Sequence, residues 1–243
     1  MKQDLHDPTL YDYINSVEIA RGYDKYHSAN RLFDLDRRFI EEVLPARGTV
    51  LDIGCGTGRL LVYLQEKGYD TIGVDLSSHM LEVAREKSGE KARLVRADML
   101  ALPMAEGQVD ACIMMFSVLG MLKGEHLRKQ ALKEAARVLR RGGILALHVH
   151  NRYKHVVRGV AGLLKGFVFS MFGRNTEIMR NYRSLPGLYL HLFSRGEILR
   201  LLEETGFAVV RDEAIAPDRS GYITGPARSW SADGFLVSAV KRG

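Results

Sequence analysis

Long apolar runs are missing from this sequence. No stretch reaches the roughly 18 consecutive apolar residues that would span a bilayer, and the first residues, MKQDLHDPTL, carry no apolar core of a secretory signal. Cysteine is nearly missing too. Cys55 and Cys112 show neither CxxC nor metal-ligand spacing, so no metal site is expected and a reduced, cytoplasmic protein is the simplest expectation. Internal repeats and low-complexity tracts are also absent. What remains is ordinary: 46% hydrophobic and 26% charged residues in 243, enough for one α/β domain with an appendage.

The charge is unevenly spread. Residues 152–183 hold seven lysines and arginines against one acid, Glu177, and so carry the chain's whole net charge of +6. Such a segment suits phosphates, a membrane surface or an acidic substrate, and equally a solvated face.

Hydrophobic periodicity sets the organisation. Residues 1–46 read as a polar helical cap, with Leu32, Leu35, Phe39, Ile40 and Val43 at helical spacing before Pro45 and Gly48. Then strands and helices alternate. TVLDIG (49–54), DTIGVD (70–75), ARLVRAD (92–98), VDACIMMF (109–116) and GILALHVHN (143–151) read as strands. Helices lie between them, one capped by Ser77. Residues 152–190 break the rhythm with apolar, basic and glycine residues, and are expected to form an inserted helical lid. A helix capped by Ser194 follows, then strands at 207–215 and 234–242, separated by a Gly/Pro/Ser-rich loop. The expectation is a doubly wound, seven-stranded, mostly parallel Rossmann-like sheet in a single domain. Its parts are the cap (1–46), a core (47–151), the lid (152–190) and a C-terminal part of the sheet (191–243).

The chemistry starts at VLDIGCGTGRL, residues 50–60. These glycines close the first strand and open a helix, where doubly wound folds bind ligands. A dinucleotide fingerprint needs a small residue at position 59, where this chain has Arg59, and a Walker phosphate loop needs GK[ST], which does not follow. Asp52, just ahead of the loop, would repel a pyrophosphate and suits an ammonium group. Asp75, at the end of the second strand, is placed to accept from ribose hydroxyls. Asp98, at the end of the third beside Met99, is placed to accept from an adenine amino group. A lone Asp of this kind is as often a turn or cap; three at successive strand ends beside a glycine loop are harder to explain so.

With VLDIGCGTG, GVDLSSHML, RADMLALP, VDACIMMFSVL and LRRGGIL in place, the chain resembles the class I S-adenosylmethionine-dependent methyltransferases, closely over residues 45–150 and loosely beyond. The resemblance implies S-adenosylmethionine as cofactor and S-adenosylhomocysteine as product. The amino-acid arm would lie near Gly54, Cys55 and Gly56, with Asp52 and Gly58 in the same loop. The ribose would lie on Asp75 beside Leu76, the adenine near Met80, Asp98 and Met99, and the backbone of Phe116 and Ser117 along the arm. It also implies that the N-terminal helices cover the cofactor, with Tyr26 or another of Tyr11, Tyr13 and Tyr23 in contact.

On strand five, His148 and His150 are two apart and share a face. His150, nearer the carboxyl edge, is the candidate general base, with an ordinary pKa of about 6.5; a structural histidine is the alternative. His155 and His191 belong to the lid and its return. Neither cysteine is assigned a nucleophilic role. MFSV stands where many enzymes that methylate base amino groups have Asn/Asp-Pro-Pro-Tyr, which counts against that substrate class. The expected acceptor is an oxygen or nitrogen on a small molecule. Alternatives are a tRNA wobble uridine, because LYLHLFSRGEILRLLEETGF resembles the carboxymethyl-uridine methyltransferases, and a lipid or quinone reached through an interfacial segment at 157–172. A non-enzymatic binding scaffold is disfavoured because Asp52, Gly54, Gly56, Asp75 and Asp98 are all present.

Overall fold

The computed structural model describes residues 8–153, 177–182 and 185–242. The segment 157–172, offered above as an alternative interfacial element, and His155 lie outside them. Among the described residues no helix is long and apolar enough to cross a membrane.

The strands are β1 (Thr49–Ile53), β2 (Asp70–Asp75), β3 (Arg93–Arg96), β4 (Val109–Met114), β5 (Leu139–His150), β6 (Glu177–Tyr182), β7 (Leu185–His191), β8 (Phe207–Ile215), β9 (Tyr222–Ile223) and β10 (Gly234–Lys241). The main sheet has the order β3-β2-β1-β4-β5-β10-β8-β9. Neighbours from β3 through β5 pair in parallel, and β10 runs antiparallel to β5 and β8. Seven of these strands match the seven expected. The eighth, β9, is two residues inside the stretch read as loop, and pairs with Ala214 and Ile215.

The strand side chains sort by parity, as a period of two requires. Val50, Ala111, Ile113 and Ala146 pack on Leu32, Leu35, Phe39 and Ile40 of helix α3 (Leu32–Val43). Leu51, Cys112, Met114, Leu145 and Leu147 face the other way, toward Ala131, Leu132 and Ala135 of α6 (Glu125–Val138). Ile198, Leu201 and Leu202 of α7 (Arg195–Glu204) join that second face. Asp52, His148 and His150 therefore fall on the α3 side of the sheet.

Helix starts follow from local chemistry. The hydroxyl of Ser77 accepts from Met80 N at 3.3 Å to open α5 (Ser78–Ser88), and that of Ser194 accepts from Glu197 N at 3.2 Å to open α7. Ser16 does the same for α2 (Val17–Tyr26), accepting from Ile19 N at 3.1 Å. Helix α1 (Pro8–Asn15) precedes it, and α4 (Arg59–Glu66) follows the glycine loop.

One expectation changes. The described part of the lid is not helical: β6 and β7 pair antiparallel, Glu177 opposite His191 and Tyr182 opposite Leu185. Only two residues separate these strands, the short link of a hairpin. Tyr189 and His191 of β7 are buried, so the hairpin lies on the body with α1 packed against it.

Candidate active site

The glycine loop leaves β1 with backbone that only glycine adopts readily. Gly54 N donates to Val74 O at 2.7 Å, φ is +77°, and a Cβ there would collide with Val118. Gly56 has φ +53°, and a Cβ on it would meet nothing within 4 Å. Its missing side chain thus leaves an open floor.

That floor belongs to a cavity at the carboxyl edge of the sheet, about 1230 Å³ with its mouth included. Gly54, Gly56, Asp75, Leu76, Met80, Asp98, Met99, Phe116, Ser117 and His150 all line it. The cap adds Leu10, Tyr13, Ile14 and Tyr23; the hairpin adds Leu188, Tyr189 and Leu190. Beside it lies a smaller cavity walled by Tyr23, Asp36, Asp52, Cys55 and Arg59, which shares Gly54, Gly56 and Phe116 with the first.

Asp75 already has two duties. Its Oδ2 accepts from Gly56 N and its Oδ1 from Ser77 N, each at 2.8 Å. Each oxygen keeps a further lone pair for a ligand hydroxyl. Asp98 acts as a turn residue, accepting from Leu100 N at 2.9 Å, and also lines the cavity. The two readings of that residue coexist.

The charges here are crowded and dry. Burial, with the nearby Asp75 charge, pushes the Asp52 carboxyl up to about 7, against the pull of Arg59. Burial also raises Asp75 above the usual carboxylate range, although the Ser77 and Gly56 amides oppose it. Tyr23 is pushed up to about 12 by burial, and burial lowers Arg59. The Cys55 thiol is driven up by burial and by Asp52, and the Cys112 thiol by burial. Both thiols are thereby held in the neutral form.

Beside His150, Phe116 and Ser117 are consecutive non-glycine residues with φ of +55° and +62°. Such conformations cost about 1–3 kcal/mol each and persist only where the surroundings hold them. Here Ser117 N donates to His148 O at 2.8 Å, and Ser117 Oγ accepts from His150 N at 3.3 Å. The loop is thereby stitched to β5. It sets the Phe116 ring edge-on to His150, with centroids 5.7 Å apart.

Some expected residues lie elsewhere. Tyr26 ends α2 and is 58% exposed, packed on the buried His27; the cap tyrosines that line the cavity are Tyr13 and Tyr23. Tyr11 is exposed as well. Gly58 does not line the cavity; it starts α4 at φ +73°, where a Cβ would press on Ala84 at 2.9 Å. His191 is held 2.7 Å from Glu197 Oε1, between β7 and α7, away from the cavity. His148 is fully buried against Asp36. Two residues escaped the sequence reading. Arg59 was seen only as a misfit for a dinucleotide loop, yet its charge directly after the glycines was a usable signal. Asp36 lies on α3, outside every motif.

Known proteins share this sequence pattern and fold. A family model described as a methyltransferase domain matches residues 50–143. The ubiquinone/menaquinone biosynthesis C-methyltransferase UbiE of Syntrophotalea carbinolica is 32% identical over 200 residues, 77% of this chain and 83% of that one. The chain belongs to the class I S-adenosylmethionine-dependent methyltransferases. YqeM of Bacillus subtilis is 36% identical over 137 residues, but the match spans only 56% of this chain and 55% of that one. The fold is shared with the Burkholderia thailandensis 1,6-didemethyltoxoflavin-N1-methyltransferase, solved with 1,6-didemethyltoxoflavin and S-adenosylhomocysteine. The TM-score is 0.66 at 17% identity, covering 97% of this chain and 88% of that one. The methyltransferase's cofactor is S-adenosylmethionine. Its residues suit that cofactor: an open glycine floor, carboxylates at two strand ends, and a second, charged cavity beside the loop.

Proposed function

We propose that the methyltransferase acts on an oxygen or nitrogen of a small, largely apolar acceptor, with His150 as general base. The observation that carries this is the composition of the cavity wall. Met115, Val118, Met121, Leu122, Leu188 and Leu190 line the same cavity as His150, and among the described residues no lysine or arginine lines it. A flat apolar molecule would be desolvated on several sides by these side chains.

When bound, S-adenosylmethionine supplies an electrophilic methyl group, so the protein's own work is binding, orientation and exclusion of water. Gly54 and Gly56 leave room for the amino-acid arm beside Asp52. Asp75 accepts from ribose hydroxyls, and Asp98 with Met80 and Met99 borders the adenine. The cap and the hairpin close the cavity from above. His150, 5% exposed, takes the proton from the acceptor's O–H or N–H. A positioned base of this kind contributes typically about 10²–10⁴-fold.

A quinol is a second acceptor class, supported by the likeness to the quinone-pathway C-methyltransferase. Removing a ring hydroxyl proton makes the neighbouring carbon nucleophilic too, so the same base serves both outcomes. The deciding experiment incubates the protein with methyl-labelled S-adenosylmethionine and three acceptor pools: phenols and quinols, heteroaromatic amines, and bulk tRNA. Mass spectrometry then locates the label. Label in a small aromatic product is expected, and His150→Ala should cut its formation by about 10²-fold or more. Label confined to tRNA would defeat the proposal.

A further inference from the structure

Asp36 is a buried group that the mechanism above leaves unused. It is 1% exposed, and its Oδ1 lies 2.8 Å from His148 Nδ1. Its Oδ2 is buried with no hydrogen-bond partner. A buried carboxylate oxygen without a donor is unfavourable, and each such group in a folded protein calls for an explanation. Asp36 also walls the smaller cavity, with Asp52, Tyr23 and Arg59 around it and the glycine loop as its floor. It is near enough for its charge to raise both Asp52 and Tyr23.

The other end of the pair reaches the acceptor side. The His148 ring meets the His150 ring edge-on, with centroids 5.2 Å apart at 87°. Its far edge is closed by β10, where even a Cβ on Gly234 would lie 3.1 Å from Nε2. Asp36 and β10 therefore fix the orientation of His148 between them.

We propose that Asp36 joins the two ends of the reaction centre: Oδ2 accepts a hydrogen bond from the α-ammonium group of the methyl donor, and Oδ1 holds His148, which positions His150. This rests on the placement of the donor's amino-acid arm at Gly54–Gly56. The chemistry of the small cavity suits that arm. Two carboxylates, Asp36 and Asp52, line it as partners for an ammonium group, and Arg59 and Tyr23 line it as partners for a carboxylate. Asp36 is thus a binding residue for the donor and a positioning residue for the base.

Titration calorimetry with S-adenosylhomocysteine and its deamino analogue, on wild type and Asp36→Asn, tests the proposal. Wild type should bind the amino form roughly tenfold tighter or more, and the variant should reduce that preference to about twofold. An equal preference in both proteins would overturn it. If Asp36→Asn does not fold, the paired change Asp36→Leu with His148→Leu removes both partners and leaves neither orphaned; the same loss of preference is expected. A second measurement needs no variant. The His148 imidazole ¹⁵N signals of wild type should move with S-adenosylhomocysteine and stay put with the deamino analogue, whereas identical shifts would overturn the link to His148. Failure of wild type to bind either ligand would instead remove the donor placement beneath the proposal, a result distinct from equal binding of both.

Discussion

At the scale of single residues, burial raises both carboxylates beside the glycine loop, but only Asp75 also holds backbone amides. Asp52 has an ordinary pKa of 3.8 when unfolded and about 7 in the fold, because burial disfavours its charge. Between those values the folded chain keeps a proton that the unfolded chain has lost. Raising the pH through that window therefore costs stability. The cost is absent below about pH 4 and complete above about pH 7, and three pKa units correspond to about 4 kcal/mol. Asp52→Asn should flatten this slope, and urea midpoints at pH 4.5 and 7.5 measure it; equal slopes in wild type and variant would count against a buried, protonated Asp52. Asp75 differs because its oxygens satisfy Gly56 N and Ser77 N. Asp75→Ala should lower stability by about 1–3 kcal/mol per orphaned amide even without cofactor, in addition to weakening cofactor binding. Denaturant unfolding of the cofactor-free variant checks this, and an unchanged midpoint would show that the amides find other partners.

At the scale of elements, a polar latch ties the cap to the core. Asp24 on α2 accepts from Thr57 Oγ1 and from Lys87 Nζ, both at 2.7 Å. Partial burial pushes its carboxyl up, but these two bonds outweigh burial and hold it below the usual range. Thr57 belongs to the glycine loop and Lys87 to α5, so one side chain holds three elements. Asp24→Ala should speed amide exchange in α2 while leaving β4 and β5 protected, and should lower global stability by only about 1 kcal/mol. Exchange that spreads into β4 would mean that the cap and sheet open together. The parallel core was legible in the sequence because short apolar runs alternate with helical periodicity and Ser77 caps one of its helices. The hairpin β6–β7 was not: residues 152–190 mix apolar and basic residues without a period of 2 or 3.6, and the register is set by packing on α1 and the cavity, which no local pattern encodes. For the same reason the cavity's floor, from Gly54 to Asp98, was readable as motifs. Asp36 and the hairpin roof come from distant segments and were not.

At the scale of the whole molecule, residues of the cap, the sheet edge and the hairpin all line the cavity, so a ligand there binds the folded chain and not the unfolded one. Ligand at 100 times its dissociation constant adds about 2.7 kcal/mol of stability. For a chain of about 150–250 residues each kcal/mol moves the midpoint by about 2–4 °C, so S-adenosylmethionine or S-adenosylhomocysteine should raise the melting temperature by about 5–10 °C. NAD should not, because Arg59 stands where a dinucleotide loop needs a small residue and Asp52 faces the place of a pyrophosphate. Differential scanning fluorimetry with the three ligands at matched concentration reads both outcomes. Bulk tRNA provides the contrast. Its binding would draw on the basic surplus of residues 152–183, so any shift it causes should vanish between 50 and 200 mM salt, while the shift from the adenosine ligands persists. A tRNA shift that survives salt would move the acceptor from a small molecule to a nucleic acid.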